Sequence, residues 1–375
     1  MRRIAFGLAG TALAALAAVC LGSGCSSLGY YAQAAGGHLE LMRLARPVTE
    51  LLADPATPAP LREKLRLSQR IRDFAVSELK LPDNASYRRY ADLQRPAVVW
   101  NVVAAPPLSL TLKTWCFPVM GCVGYRGYFQ RAGADELATE LQAQGLEVEV
   151  YGVPAYSTLG YSNWLGGDPL LNTFLGWTEP ELARLVFHEL AHQVAYVSDD
   201  TTFNESYAVA VERLGGQRWL THSGTPQRGL DALAASDRRR DDFRALTQRT
   251  REALQRLYEG PGDDATKLAG KAAVMATLRS DYAALKAGPW GGYAGYDAWM
   301  ARANNASFGV QAAYNALVPG FERLFETEGS DFARFHRAVQ GLAALPKDER
   351  RAKLTAPPQA TAASAASAAP APAIN

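Results

Sequence analysis

Residues 185–193 read Leu-Val-Phe-His-Glu-Leu-Ala-His-Gln, and no other stretch restricts the chain so strongly. Residues four apart on an α-helix lie one above the other on the same face, so His188 and His192 aim two imidazoles at one point. Two imidazoles so placed can share a single metal ion. Glu189, on the neighbouring radial position, then borders the open side of the ion, where it can take a proton from water. The surrounding Leu185, Val186, Leu190, Ala191 and Val194 are apolar, which predicts a helix buried on most sides. Histidine and glutamate are costly there unless paired or metallated. The chain has only 5 histidines, so two of them spaced around a glutamate in an apolar run read as a metal site rather than as surface residues on an ordinary helix.

A catalytic zinc takes three protein ligands and keeps a fourth position for water, so a third ligand is expected nearby. The motif helix is expected to end near Val197, a polar turn to cover Ser198 to Thr202, and a second helix to start at about Phe203. Folded back as an antiparallel hairpin, the two helices bring His192 and Glu205 to one point from opposite sides. Glu205 is therefore the expected third ligand, ahead of Asp199, Asp200 and the more distant His222. The competing role of the Asp pair is turn formation or capping, since short acidic side chains bond nearby backbone amides. Glu212 falls seven residues after Glu205 on the same helical face, placed to orient a ligand histidine.

His188, Glu189 and His192 followed by Asn204 and Glu205 resemble the site of a family of bacterial predicted zinc aminopeptidases, envelope proteins of the gluzincin type. The likeness extends to Tyr156-Ser157-Thr158-Leu159-Gly160, to Asp168-Pro169, and to Cys116 and Cys122 with the following Gly124-Tyr125-Arg126-Gly127-Tyr128-Phe129. It covers the chain from about Cys25 to about Leu345. The resemblance implies a zincin-like metallopeptidase fold of the α+β class, mostly helical, with a small sheet ahead of the motif helix. It also implies one zinc ion on His188, His192 and Glu205, with Glu189 as the catalytic base and a peptide or protein as substrate.

Met1-Arg2-Arg3 and the apolar run from Ile4 to Leu21 have the layout of a secretory signal, a basic head before an apolar segment. Leu21-Gly22-Ser23-Gly24 before Cys25 resembles a bacterial lipoprotein cleavage site, with Gly22 standing where leucine is usual. Cys25 is thus the expected acylated N-terminus and the link to a membrane. Ser26 and Ser27 carry no inner-membrane retention signal, which favours the periplasmic face of the outer membrane. Cys20 lies in the discarded segment, so Cys116 and Cys122 remain. In an oxidising periplasm they are expected to close a disulfide around residues 117–121, since no histidine lies near them to make a second metal site.

The 375 residues suffice for one large or two small domains. Lysine plus arginine and aspartate plus glutamate nearly cancel, 39 against 37, so no electrostatic argument favours nucleic acid as a partner. The pattern divides the chain into a signal peptide (1–24), an N-terminal helical segment (25–96), a small β-rich subdomain (97–177), a helical region with the metal site (178–345) and a disordered tail (346–375). In the second segment Leu61, Leu65, Ile71, Phe74, Ala75 and Leu79 form the inner stripe of a helix, with Arg and Glu outside. In the third, Val98 to Val103, Ser109 to Trp115, Val123 to Phe129 and Glu147 to Tyr151 predict a sheet of about four strands, with a helix from Ala134 to Gln144. An exposed edge of that sheet is expected to pair with substrate backbone. Gly152 to Thr178 is a Gly- and Tyr-rich connection, a candidate cleft wall. Thr178, Pro180 and Glu181 predict a capped helix start. Beyond Gly215 the chain reads helical: Phe243 to Tyr258 and Ala265 to Ala287 as a hairpin broken at Gly260-Pro261-Gly262, then a group from Asn304 to about Leu345. The run 237–242 is expected to be a solvated helix face, and His336 a packing residue.

The expected activity is zinc-dependent peptide hydrolysis, with aminopeptidase action implied by the resemblance. The Gly-x-Met-Glu-Asn signature of familiar aminopeptidases is absent, which leaves endopeptidase action open. A non-catalytic zinc-binding lipoprotein scaffold is the third alternative, disfavoured by Glu189, for which a purely structural site has no use.

Overall fold

The computed structural model describes residues 29–117, 121–155, 158, 166–198, 200–224 and 227–356, with the backbone alone for 227–228 and 311–315. The expected signal segment and Cys25 lie outside these residues, as do Asp199 and, of the Tyr156 to Gly160 stretch, all but Thr158. The chain opens with helix α1 (29–44), followed by β1 (Arg46–Pro47), α2 (Val48–Ala53), α3 (Ala59–Ser77), β2 (Arg89–Ala91) and β3 (Val99–Ala105). Then come β4 (Trp115–Phe117), β5 (Gly121–Val123), β6 (Arg126–Tyr128), α4 (Arg131–Ala143), β7 (Glu147–Val153), β8 (Leu170–Leu171) and α5 (Asn172–Leu175). The rest is helical: α6 (Glu179–Ala191), α7 (Thr201–His222), α8 (Gln227–Glu259), α9 (Asp264–Ala287), α10 (Asp297–Arg302), α11 (Asn305–Asn315), α12 (Val318–Thr327), α13 (Phe332–Ala343) and α14 (Lys347–Thr355). The fold is thus α+β and mostly helical, with its strands ahead of α6.

The main core gathers the apolar faces of α3, α6, α7, α12 and α13. On α3 the expected stripe is inside, with Leu65, Ile71, Phe74 and Ala75 buried; Phe74 meets Phe187 of α6 and Trp219 of α7. Arg72, expected outside, is instead fully buried. Its guanidinium donates to the carbonyls of Pro82, Asn84 and Ser86, so a long cation takes the place of backbone partners that the loop 82–86 lacks. Phe243, Leu246 and Leu254 of α8 with Met275, Leu278 and Tyr282 of α9 form a second core, as a broken helical hairpin requires.

The sheet has three strands in the order β6-β3-β7, all antiparallel. Every residue of β3 is buried: Trp100, Val102 and Ala104 face Ala134, Leu137 and Leu141 of α4, while Val103 and Ala105 face Ala306 of α11. A strand covered on both faces reads as a near-continuous apolar run, which is how Val98 to Val103 reads apart from Asn101. The expected second strand, Ser109 to Trp115, is absent apart from its last residue. After Pro106-Pro107 the backbone turns, Ser109 N–H donating to the Pro106 carbonyl, and Leu110 leaves for the α8/α9 core. Cys116 and Cys122 are bonded and pair directly across the separate β4/β5 hairpin. The β6 edge is not a bare template: the Gln33 side chain of α1 donates to the Gly127 carbonyl at 3.3 Å and accepts from Phe129 N–H at 3.1 Å.

Lys347–Thr355, expected to be disordered, is instead a helix seated on α12. A Cβ at Gly320 would run into the Leu354 carbonyl, so the two helices meet backbone to backbone. Within 237–242, Asp237 pairs with Arg184 of α6 and Arg240 with Glu212 of α7, though both stay partly exposed to solvent. His336 is buried, as expected of a packing residue. Among the described residues no helix is long and apolar enough to cross a membrane.

Candidate metal centre

Helix α6 starts where its sequence dictates. Thr178 and Glu181 form the reciprocal capping box, and Pro180 sits in the first turn. It ends earlier than expected, at Ala191, with His192 as C-cap. Beyond it the chain tightens, Gln193 and Val194 donating to carbonyls three residues back. The Gln193 side chain is drawn away to Asn84 at 2.6 Å and Ser86 at 3.2 Å, which unwinds the last turn. Helix α7 starts at Thr201, capped by the Asp200 carboxylate on Phe203 N–H at 3.3 Å. Glu205 is therefore in its second turn, not the first.

The two helices run antiparallel. His192 meets Glu205, His188 meets Glu212, and Arg184 lies against Gly216, so contacts move down one helix as they move up the other. A Cβ on Gly216 would approach the Arg184 side chain to 2.9 Å; glycine is what allows the approach. Asn204 closes the connection, its side-chain amide accepting from Val197 N–H and donating to the Val197 carbonyl, both at 2.8 Å. The residue just before Glu205 thus fixes the loop that leads out of His192.

His188, His192 and Glu205 each offer one ligand atom, and the three atoms lie within 4.8 Å of one another. Glu205 Oε2 stands 3.4 Å from His188 Nε2 and 3.8 Å from His192 Nε2, and the imidazole planes are nearly perpendicular, at 83°. Two nitrogens and one carboxylate oxygen this close together could hold one metal ion, and they are the donor types that a three-protein-ligand zinc site uses. On its other side His188 presents Nδ1 to Glu212 Oε2 at 3.3 Å, the arrangement by which a carboxylate orients a ligand imidazole. Of the alternative ligands, His222 packs at a tilt against Phe74, ring centroids 4.8 Å apart, and Asp200 is committed to a buried pair with Arg350 at 3.0 Å.

Electrostatically the point is starved of positive charge. Burial opposes the protonated form of His188, yet Glu205, Glu212 and Glu189 overcome it and hold its pKa well above the usual value. Burial, with the charge of His188, outweighs the pull of Glu205 and pushes His192 down to about 4. Glu205 and Glu212 lie below the usual carboxylate range: burial opposes this, but His192 and His188 outweigh it for Glu205, and His188 with Arg240 for Glu212. Burial, helped by Glu205, Asp168 and Glu212, raises Glu189 to about 7. The carboxylates around this point favour positive charge there, which a bound cation would supply.

Sequence reasoning missed three groups around this point. Tyr125, beside β6, and Tyr151, on β7, sit close enough to Glu205 that its charge adds to the burial that raises both phenols. Tyr87 is fully buried next to Glu189 and Asp168, its hydroxyl without a hydrogen-bond partner among the described residues. Only the aromatic content of Gly124 to Phe129 hinted at the first. Asp168, singled out by sequence, is buried and accepts from Thr158 N–H at 3.0 Å and Thr158 Oγ1 at 2.7 Å.

A family model described as "Putative aminopeptidase" matches residues 29–354. The chain belongs to this family. The aminopeptidase match starts after Cys25 and runs through α14, past the Leu345 boundary expected from the resemblance. The aminopeptidase family segment therefore contains the whole candidate centre and the terminal helix packed behind it. No curated protein and no solved structure matches the chain.

Proposed function

We propose that this aminopeptidase family member is a one-zinc peptidase, with His188, His192 and Glu205 as ligands and Glu189 as general base. The observation that carries the reading is the convergence of those three donor atoms within 4.8 Å beside a carboxylate that no ligand role occupies. Zinc bound there would lower the pKa of a coordinated water toward about 7 and polarise the scissile carbonyl. Glu189 accepts the water proton and returns it to the leaving amine, so one residue serves as base and then as acid. Its pKa of about 7 without a cation falls once positive charge stands beside it, which keeps the carboxylate ionised and ready to accept. Glu212, 3.3 Å from His188 Nδ1, would hold that ring in place as a ligand.

As an aminopeptidase the protein cleaves peptides with a free N-terminus and rejects N-acetylated ones, because the substrate ammonium must be fixed near the scissile bond. Incubating matched free and acetylated peptides with zinc-loaded protein, with chelator as control, tests this. Equal cleavage of both would make it an endopeptidase, and chelator-resistant cleavage would remove the zinc. We also propose that Cys25 carries lipid and holds the protein at the periplasmic face of the outer membrane. Cys25→Ser should release it into the soluble envelope fraction; an unchanged membrane fraction would contradict the anchor.

A further inference from the structure

The two histidines of the candidate centre are not supported alike. His188 has Glu212 Oε2 3.3 Å from its Nδ1, a carboxylate placed to orient that ring. Among the described residues no acidic group pairs with the Nδ1 of His192, which is buried without a hydrogen bond. The aim of the His192 ring toward Glu205 must therefore come from its own backbone. His192 is also the residue at which α6 stops, and the last carbonyls of a helix lack partners inside it. What holds the chain there has to reach it from outside the helix.

Gln193 supplies that hold. Its Oε1 accepts from Asn84 Nδ2 at 2.6 Å and its Nε2 donates to Ser86 Oγ at 3.2 Å, so the amide is engaged at both ends. The backbone follows: Gln193 and Val194 donate to the Leu190 and Ala191 carbonyls at 3.1 and 2.9 Å, the tighter bonding of a 3₁₀ turn. The loop that receives the amide is itself fixed. Fully buried Arg72 donates to the carbonyls of Pro82, Asn84 and Ser86, and Asn84 Oδ1 accepts from Ser86 N–H at 3.0 Å. Ser86 Oγ also accepts from Asp168 N–H at 3.3 Å. Gly167, at φ +68°, closes the other side, where a Cβ would lie 2.4 Å from Ser86 N. The socket is thus determined without Gln193, and it is Gln193 that adapts to the socket.

We propose that Gln193 is a positioning residue of the metal centre: docked on the 84–86 loop, it fixes the chain just past α6 and so directs the His192 imidazole at the point shared with His188 and Glu205. The proposal rests on the zinc reading above. Asn204 holds the far end of the same connection at Val197, so the segment that follows His192 is tied at both ends.

The test compares the parent with Gln193→Ala, Asn84→Ala, their double variant and Gln193→Glu. Zinc Kd is read by competition with a chelating dye, and the visible absorption of cobalt(II)-substituted protein reports the geometry of the ligand set. Each alanine variant should bind zinc about tenfold to a hundredfold more weakly and shift the cobalt bands. The double variant should lose no more than the weaker-binding single variant, because both changes break one clamp. Gln193→Glu keeps the acceptor for Asn84 and loses the donor to Ser86, so its Kd should fall between the parent and Gln193→Ala; it carries the comparison if an alanine variant does not fold. Parent-like Kd and cobalt bands in Gln193→Ala, even with a lowered urea midpoint of the metal-free protein, would reduce Gln193 to a stabilising contact and overturn the proposal. Losses that multiply in the double variant would overturn it as well. A parent that binds no zinc would instead strike the zinc reading, which the variants are not needed to show.

Discussion

At the residue scale, a side-chain amide decides how the two ligand-bearing helices meet. Asn204 exchanges two hydrogen bonds with the backbone of Val197 and so fixes the chain between His192 and Glu205. Asn204→Ala should weaken zinc binding by about tenfold to a hundredfold, the usual cost of losing support behind a metal ligand; competition with a chelating dye measures it, and an unchanged Kd would show the zipper to be idle. His336 gives a second expectation. Its Nε2–H donates to the Leu79 carbonyl and its Nδ1 accepts from the Tyr207 hydroxyl, both at 2.8 Å, which fixes the neutral ring. Burial lowers its pKa, against the pull of the Leu79 bond. The unfolded chain therefore binds the proton first, so this contribution to stability is complete above about pH 6.5 and is lost as pH falls through that value. Urea midpoints of metal-free protein should drop between pH 7 and pH 5 less in His336→Gln than in the parent, and parallel curves would refute the assignment. The meeting of His188 and His192 was legible because a four-residue helical spacing is itself a geometry. The Asn204 bonds were not, since a side chain bonding to a loop carbonyl leaves no periodic trace.

Among the elements, α14 is the one whose role the sequence concealed. Pro346 followed by Lys347-Asp348-Glu349-Arg350-Arg351 reads as the start of a solvated tail, yet Arg350 is 4% exposed and its partner Asp200 1%. Arg350 also donates to the carbonyls of Ala343 and Leu345 and covers the Phe203 ring. Through Asp200, the cap of α7, the last helix holds the start of the helix that carries Glu205. Arg350→Met leaves the buried Asp200 only its longer contact to Arg351, at 3.5 Å, and should cost up to about 3–5 kcal/mol, read from urea unfolding monitored by circular dichroism; a loss under about 1 kcal/mol would mean that Arg351 alone suffices for the carboxylate. The unwinding of α6 after Ala191 was hidden for a related reason, because Val194, Ala195 and Val197 keep an apolar pattern while leaving the helix to pack in the core.

Across the whole molecule, the order of strands then helices was readable, and so was the burial of β3, because apolar runs and turn residues report local structure directly. The count of strands was not: Ser109 to Trp115 has strand-like composition, but Leu110 gains more by filling the α8/α9 core. Nor could sequence show that the sheet brings Tyr125 and Tyr151 within reach of the charge of Glu205 on α7, since these residues stand more than fifty positions from it in the chain. The resulting account makes one chemical demand, that Glu189 moves protons while its neighbours hold the ion. Zinc content and peptide cleavage measured side by side on the parent and Glu189→Gln test it most directly. The account predicts one zinc per chain in both and cleavage in the parent alone; a parent that binds no zinc, or a Glu189→Gln protein that still cleaves, would contradict it.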